Sequence, residues 1–208
     1  MGVVVAFVSQ KGGVGKSTLA RALAREAAAG GLSVKVADLD MQQGTLVNWQ
    51  RRRLEANREP SVSVESFRNA GSALSVRDGY DLLVLDGPAR ASSATLEIAQ
   101  SADLVVQPTG ASLDDLEPAV LTFHELVREG ISRGKLLFAL CRMQTEAEVR
   151  DCRGYLTQAG YSILEGFLPE RPAYRAVQNV GFAVTEIRYP ALRKQAEALV
   201  QGIVDRIS

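Results

Sequence analysis

Ten consecutive residues constrain this chain more than any others: Ser9-Gln10-Lys11-Gly12-Gly13-Val14-Gly15-Lys16-Ser17-Thr18. The apolar run Val3-Val4-Val5-Ala6-Phe7-Val8 precedes them, and Leu19-Ala20-Arg21-Ala22-Leu23-Ala24 follows with helical spacing. A buried strand, a glycine turn and a helix start, in that order, form a loop whose backbone N–H groups converge on one phosphate. Glycine admits positive φ and lets the backbone come close to the anion. In such a loop Lys16 reaches the β- and γ-phosphates of a nucleotide, and the Ser17 hydroxyl takes a place on Mg²⁺.

A loop of this kind needs a core to hold it, and 208 residues suffice for one domain, 1–208, with a sizeable interior. The 24 Lys and Arg balance the 24 Asp and Glu. Contact with a polyanion therefore depends on a local basic patch, doubled if the chain pairs, and not on net charge. Cys141 and Cys152 lack metal-ligand spacing and point to a reducing cytosol. Met1 runs straight into the first strand without the flanks of a secretory signal, and no apolar run approaches the ~20 residues of a spanning helix. The expected compartment is the cytoplasm.

Short apolar runs alternate with longer segments of helical period, which predicts an α/β fold with a mostly parallel central sheet between helices. The runs predict strands at 3–8, 33–38, 62–66, 81–86, 103–108, 136–141 and 162–167. Helices are predicted at 17–29, 44–57, 69–77, 93–101, 113–129, 146–159 and 191–206. The strands that carry chemistry end in polar residues, as ligand binding at the carboxyl edge of such a sheet requires.

The usual phosphate loop has Gly five residues before Gly15, where this chain has Gln10, and it carries a second lysine, Lys11, ahead of the double glycine. The string KGGVGKST resembles the deviant Walker A loop of the ParA/MinD family of P-loop ATPases. The resemblance implies a three-layer P-loop NTPase fold, with ATP or ADP held by Lys11, Gly12, Gly13, Val14, Gly15, Lys16, Ser17 and Thr18. It also implies that Lys11 acts on the phosphates of a partner subunit across a dimer interface.

The second strand ends in Asp38-Leu39-Asp40-Met41-Gln42-Gln43-Gly44, which resembles the family's DLDPQG segment with Met41 in place of proline. Asp40 is then the residue beside the attacking water, with Asp38 supporting it. A carboxylate there orients water for in-line attack, much of what phosphoryl transfer asks of a protein. Leu82-Leu83-Val84-Leu85-Asp86 matches a Walker B strand, whose acid holds Mg²⁺. Gly87 stands where the family usually has Thr; it either loosens the loop or brings its N–H to the γ-phosphate. Asp114 and Asp115 read as acids favoured by the start of a helix.

The sixth strand ends in Cys141-Arg142, where many relatives have Asn-Arg with the Asn reading adenine. Base recognition then falls to backbone groups around Phe167-Leu168-Pro169-Glu170, including Pro169. Arg171–Ala176 and Gly181–Glu186 resemble the small ParF-type plasmid partition ATPases, so the resemblance covers nearly the whole chain.

Other features read as structural. Arg51-Arg52-Arg53 is expected to be the solvated face of a helix, His124 a helix histidine without a metal partner, and the two cysteines buried thiols. The amphipathic segment 191–200 is expected to dock on the domain, not to anchor a membrane. Arg188, Arg193 and Lys194 are the preferred DNA-facing patch. Together these features imply an Mg-dependent ATPase with Lys11, Lys16 and Asp40 in catalytic roles and Ser17 and Asp86 on the metal. It forms a homodimer with ATP, binds DNA non-specifically on the nucleoid, and is stimulated by a ParB-like or other cargo adaptor to segregate plasmid or chromosomal DNA. The alternatives are a ParA-like ATPase that positions a protein cargo or organelle, and a metabolic P-loop ligase of the dethiobiotin synthetase type.

Overall fold

A computed structural model describes residues 2–89 and 92–207, with only the backbone of Ser92; Met1 lies outside them. The chain builds β1 (Val3–Phe7), α1 (Lys16–Ala29), β2 (Val34–Asp38), α2 (Thr45–Glu55), β3 (Ser63–Ser66) and α3 (Ala70–Leu74). It continues with β4 (Leu82–Asp86), α4 (Ser92–Ser101), β5 (Leu104–Thr109), α5 (Leu113–Arg128), β6 (Leu136–Met143) and α6 (Glu146–Gln158). The last elements are β7 (Ser162–Ile163), β8 (Leu168–Pro169), α7 (Pro172–Gln178) and α8 (Pro190–Val204).

The strands form one sheet in the order β3-β2-β4-β1-β5-β6-β7, with β8 beside β6. Every described pairing is parallel. Strands buried on both faces read as unbroken apolar runs, as β1 and β4 do. Side chains alternate across the sheet. Val5 and Phe7 pack with Leu19, Leu23, Trp49, Tyr174 and Leu199 on one side. Val4, Ala6 and Val8 pack with Ile98, Phe123 and Leu156 on the other. The result is the expected three-layer fold, and register Phe7↔Asp86 and Asp38↔Asp86 brings the chemistry-bearing strand ends to one edge.

Two expectations need correction. Of the strand predicted at 162–167 only Ser162–Ile163 forms, because the chain turns through Gly166 at φ +76° against the backbone of Leu199, and β8 follows at Leu168–Pro169. The triple arginine is not wholly a solvated face. Arg53 follows Leu46 and Trp49 at helical spacing on the buried face of α2, and is itself 0% exposed. All five of its N–H groups are engaged: Nε on the Pro60 carbonyl, and Nη1 and Nη2 on Glu186 and the carbonyls of Gly181 and Glu59. The segment 172–178 also forms a helix the sequence pattern does not predict, opened by Pro172 at its first position.

The buried thiols and the docking of the last helix are as expected. Cys141 and Cys152 are buried free thiols, and His124 Nδ1 lies 2.7 Å from the Tyr161 hydroxyl. The helix α8 docks through Ala196, Leu199, Val200 and Ile203. No helix among the described residues is long and apolar enough to cross a membrane.

Candidate nucleotide site

The loop between β1 and α1 departs from ordinary backbone at Gly13 (φ +77°) and Gly15 (φ +121°), conformations that a side chain would strain. Gly15 precedes α1 as its cap without any side-chain hydrogen bond, and no acid occupies the first turn. The helix therefore presents unspent N–H groups and the positive end of its dipole to the loop. A Cβ on Gly15 would come within 3.2 Å of the Cys141 sulfur, so Cys141 packs directly beneath the loop. That contact, with Cys141 1% exposed, gives the position a packing role.

A cavity of 270 Å³ opens over the loop, lined by Gly12, Gly13, Gly15, Lys16, Ser17, Thr18, Asp40 and Asp86 among others. Lys16 is 8% exposed, and burial lowers its pKa against the opposing pull of Asp86 and Asp40. Ser17 Oγ donates to Asp86 Oδ2 at 2.6 Å. Burial pushes the Asp86 carboxyl up to about 7, while the Ser17 hydrogen bond and the Lys16 ammonium pull it down. Asp86 Oδ1 is buried with no hydrogen-bond partner among the described residues. A hydroxyl and an orphaned carboxylate oxygen beside a phosphate loop fit a hard divalent cation that shares its remaining ligands with phosphate and water. Among the described residues no group of three or more His, Cys, Asp or Glu could hold a metal by itself.

Asp38 and Asp40 divide the work at the end of β2. Asp38 is 0% exposed and accepts from the backbone N–H groups of Asp40, Leu46 and Val47. It caps α2 from the strand, which Gly44 at the helix's own cap position cannot do. Asp40 is half-buried, accepts from Gln43 N–H at 3.2 Å, and faces the cavity. Gly87 N–H donates to the Phe7 carbonyl at 2.9 Å, so it is committed to β1 and is not free for a phosphate. A Cβ there would sit 3.0 Å from that same carbonyl oxygen, which accounts for glycine at this position.

A second cavity of 370 Å³ adjoins the first through Gly13, Gly15, Thr18, Arg175 and Gln178. Its walls include Cys141, Arg142, Pro169, Glu170 and Tyr174, and its size suits a nucleoside. Pro169, the residue expected near the base, lines this second cavity. At the rim, Glu170 accepts from Arg142 Nε at 2.9 Å and from Arg175 Nη2 at 3.3 Å.

Two of the sequence-derived residues do not point their side chains into the cavity. Val14 is 3% exposed and offers only its backbone. Lys11 turns away to the start of α5, pairing with Asp115 and donating to the Asp114 carbonyl at 3.4 Å. Sequence reasoning missed Arg21, Arg175 and Gln178, which also line the phosphate cavity. For Arg21 the available signal is a lone arginine inside the apolar run 19–24.

Residues 5–181 match the family model for the CobQ/CobB/MinD/ParA nucleotide binding domain. The maintenance of carboxysome distribution protein A of Gloeobacter kilaueensis is 29% identical over 98% of this chain and 93% of that protein. The chromosome-partitioning ATPase Soj of Thermus thermophilus is 31% identical over 70% of this chain and 75% of that protein. Among solved structures, the septum site-determining protein MinD of Pyrococcus horikoshii with Mg-ADP superposes with a TM-score of 0.77 at 19% identity, covering 100% of this chain and 97% of that one.

Proposed function

We propose that this chain, which belongs to the CobQ/CobB/MinD/ParA nucleotide-binding family, is a ParA-type ATPase that pairs around two ATP molecules. In that state it binds DNA without sequence preference, and hydrolysis, stimulated by a cargo adaptor, dissolves the pair. The observation that carries this reading is the contrast between its two loop lysines. Lys16 is buried in the phosphate cavity, whereas Lys11 stands outside it at the surface, where it can serve a second chain.

In the proposed cycle Lys16 and the amides of residues 12–18 hold the phosphates, and Pro169 lies against the base. Ser17 and Asp86 hold Mg²⁺, which when bound neutralises charge on the β- and γ-phosphates. Asp40 orients water opposite the leaving group, and Lys11 of the partner adds positive charge at the same phosphates. Arg188, Arg193 and Lys194 are exposed on and just before α8 and form the candidate DNA-facing patch. In a neutral chain two such patches, joined by dimerisation, bind together far better than either alone.

Soj partitions chromosomes, which favours DNA as cargo. The carboxysome distribution protein matches this chain over a greater length, which favours a protein cargo moved over the nucleoid. Both readings share the switch, so the switch is what the first experiment tests. DNA binding is measured with ATP, with ADP and without nucleotide across a salt series. The expected result is salt-sensitive binding with ATP and little with the other two. Equal binding in all three states overturns the reading.

A further inference from the structure

We propose that Arg21 is a positioning residue that ties the nucleoside side of the crevice to the loop carrying Asp40, so that hydrolysis depends on it more than nucleotide binding does. The inference rests on the ATPase reading above and assigns a role that the phosphate-loop motif does not contain.

Arg21 lies one turn beyond Ser17 and Thr18 on α1, 7% exposed, on the floor of the phosphate cavity. Its Nη1 donates to Gln178 Oε1 at 2.9 Å, and its Nη2 donates to the Thr45 carbonyl at 2.9 Å. Gln178 ends α7 and lines both the nucleoside and the phosphate cavities. Thr45 opens α2 and is the first residue after the loop 40–44. One guanidinium therefore bridges the wall of the base pocket and the end of the loop that presents Asp40. The loop is fixed at this end twice: Asp38 takes the N–H groups of Leu46 and Val47, and Arg21 takes the carbonyl of Thr45.

The placement is costly in terms of stability alone. Arg21 sits among Leu19, Ala20, Ala22 and Leu23, all fully buried, and its Nε has no partner among the described residues. A buried guanidinium with an unused donor is a poor substitute for an apolar side chain. Its planar fork, however, reaches two acceptors on two elements at once, which an apolar residue cannot do. The ring of Trp49, the chain's only tryptophan, lies 5.8 Å from the Arg21 guanidinium carbon. Trp49 is thus a built-in reporter of how Arg21 is seated.

Arg21→Met and Arg21→Lys variants of the full chain test the proposal, with ATP affinity, single-turnover hydrolysis and Trp49 emission measured on each. In Arg21→Met the hydrolysis step is expected to slow by at least about tenfold, since small misplacements of a reacting group cost that much or more. ATP affinity is expected to change less than about threefold, the pattern of a loss confined to the transition state. Wild-type Trp49 emission should shift when ATP is added, and the Met variant should lose that shift. Arg21→Lys, able to reach one acceptor only, should fall between the two. Wild-type hydrolysis in Arg21→Met, or a parallel fall in hydrolysis, ATP affinity and melting temperature, overturns this inference alone. A wild-type chain that binds no ATP overturns the ATPase reading and this inference with it.

Discussion

Asp86 shows how one residue can be set against the fold that carries it. Its carboxyl sits fully inside the sheet edge, one oxygen on Ser17 and the other without a partner among the described residues. Left alone, such a group costs free energy, because burial disfavours its charged form. A divalent cation held there would offset the cost. Asp86→Asn and Ser17→Ala are therefore expected to bind ATP with an affinity that no longer rises when Mg²⁺ is supplied. The wild-type chain should lose ATP affinity when the metal is chelated. Titration of a fluorescent ATP analogue with and without EDTA measures both. Variants that keep the full Mg²⁺ response would remove these two residues from the metal site. Gly15 makes a complementary point about space. Its φ and the nearby sulfur of Cys141 leave no room for a side chain, so the loop and the strand end beneath it fit as one piece.

At the scale of elements, the phosphate loop is framed by helices whose positions rest on buried charge. Arg53 anchors α2 to the Val184–Glu186 turn, and Arg25 Nε also lies 3.3 Å from Glu186. Removing Arg53 takes the bidentate partner from Glu186 and the donor from the carbonyls of Glu59, Pro60 and Gly181. Arg53→Met is expected to destabilise the fold by about 3–5 kcal/mol, the usual cost of breaking a buried pair from one side. For a chain of this size that is a drop in melting temperature of roughly 6–20 °C. Arg53→Met with Glu186→Leu should recover part of the loss, since no carboxylate is then left behind. Thermal unfolding of the two variants decides it; a double variant no more stable than Arg53→Met would overturn the expected recovery. The same residues explain what sequence could disclose. The strands β1 and β4 are legible because each is an apolar run leading into polar residues, and the loop after β1 because its glycines and Lys16 stand between such a run and a helical one. The burial of Arg53 and Arg21 was not, because a charged side chain reads as exposed until a distant partner is placed beside it. The helix α7 escaped because seven residues with Tyr174 as their one buried side chain carry no period.

Over the whole molecule, the arrangement of Lys11 is the feature that a single chain leaves unused. Its side chain is about half exposed and, among the described residues, is held by the first turn of α5, through Asp115 and the Asp114 carbonyl. The Lys11 end of this pair is open to solvent, so a stronger anion can draw the ammonium away. In the proposed pair, the triphosphate bound by the second subunit would be such an anion, carrying several charges in a site where water is partly excluded. The chain's zero net charge removes any long-range repulsion between two copies that would oppose the approach. Lys11→Ala is therefore expected to bind ATP within about threefold of wild type, because no lining group of its own cavity is lost. It should nonetheless remain a monomer with ATP at concentrations where the wild type pairs, and should not gain salt-sensitive DNA binding. Lys16→Ala, by contrast, should lose ATP binding in the monomer. Sedimentation with a slowly hydrolysed ATP analogue separates the two variants. Pairing by Lys11→Ala at the wild-type concentration would place the work of Lys11 within its own subunit and remove it from the contact between the two copies.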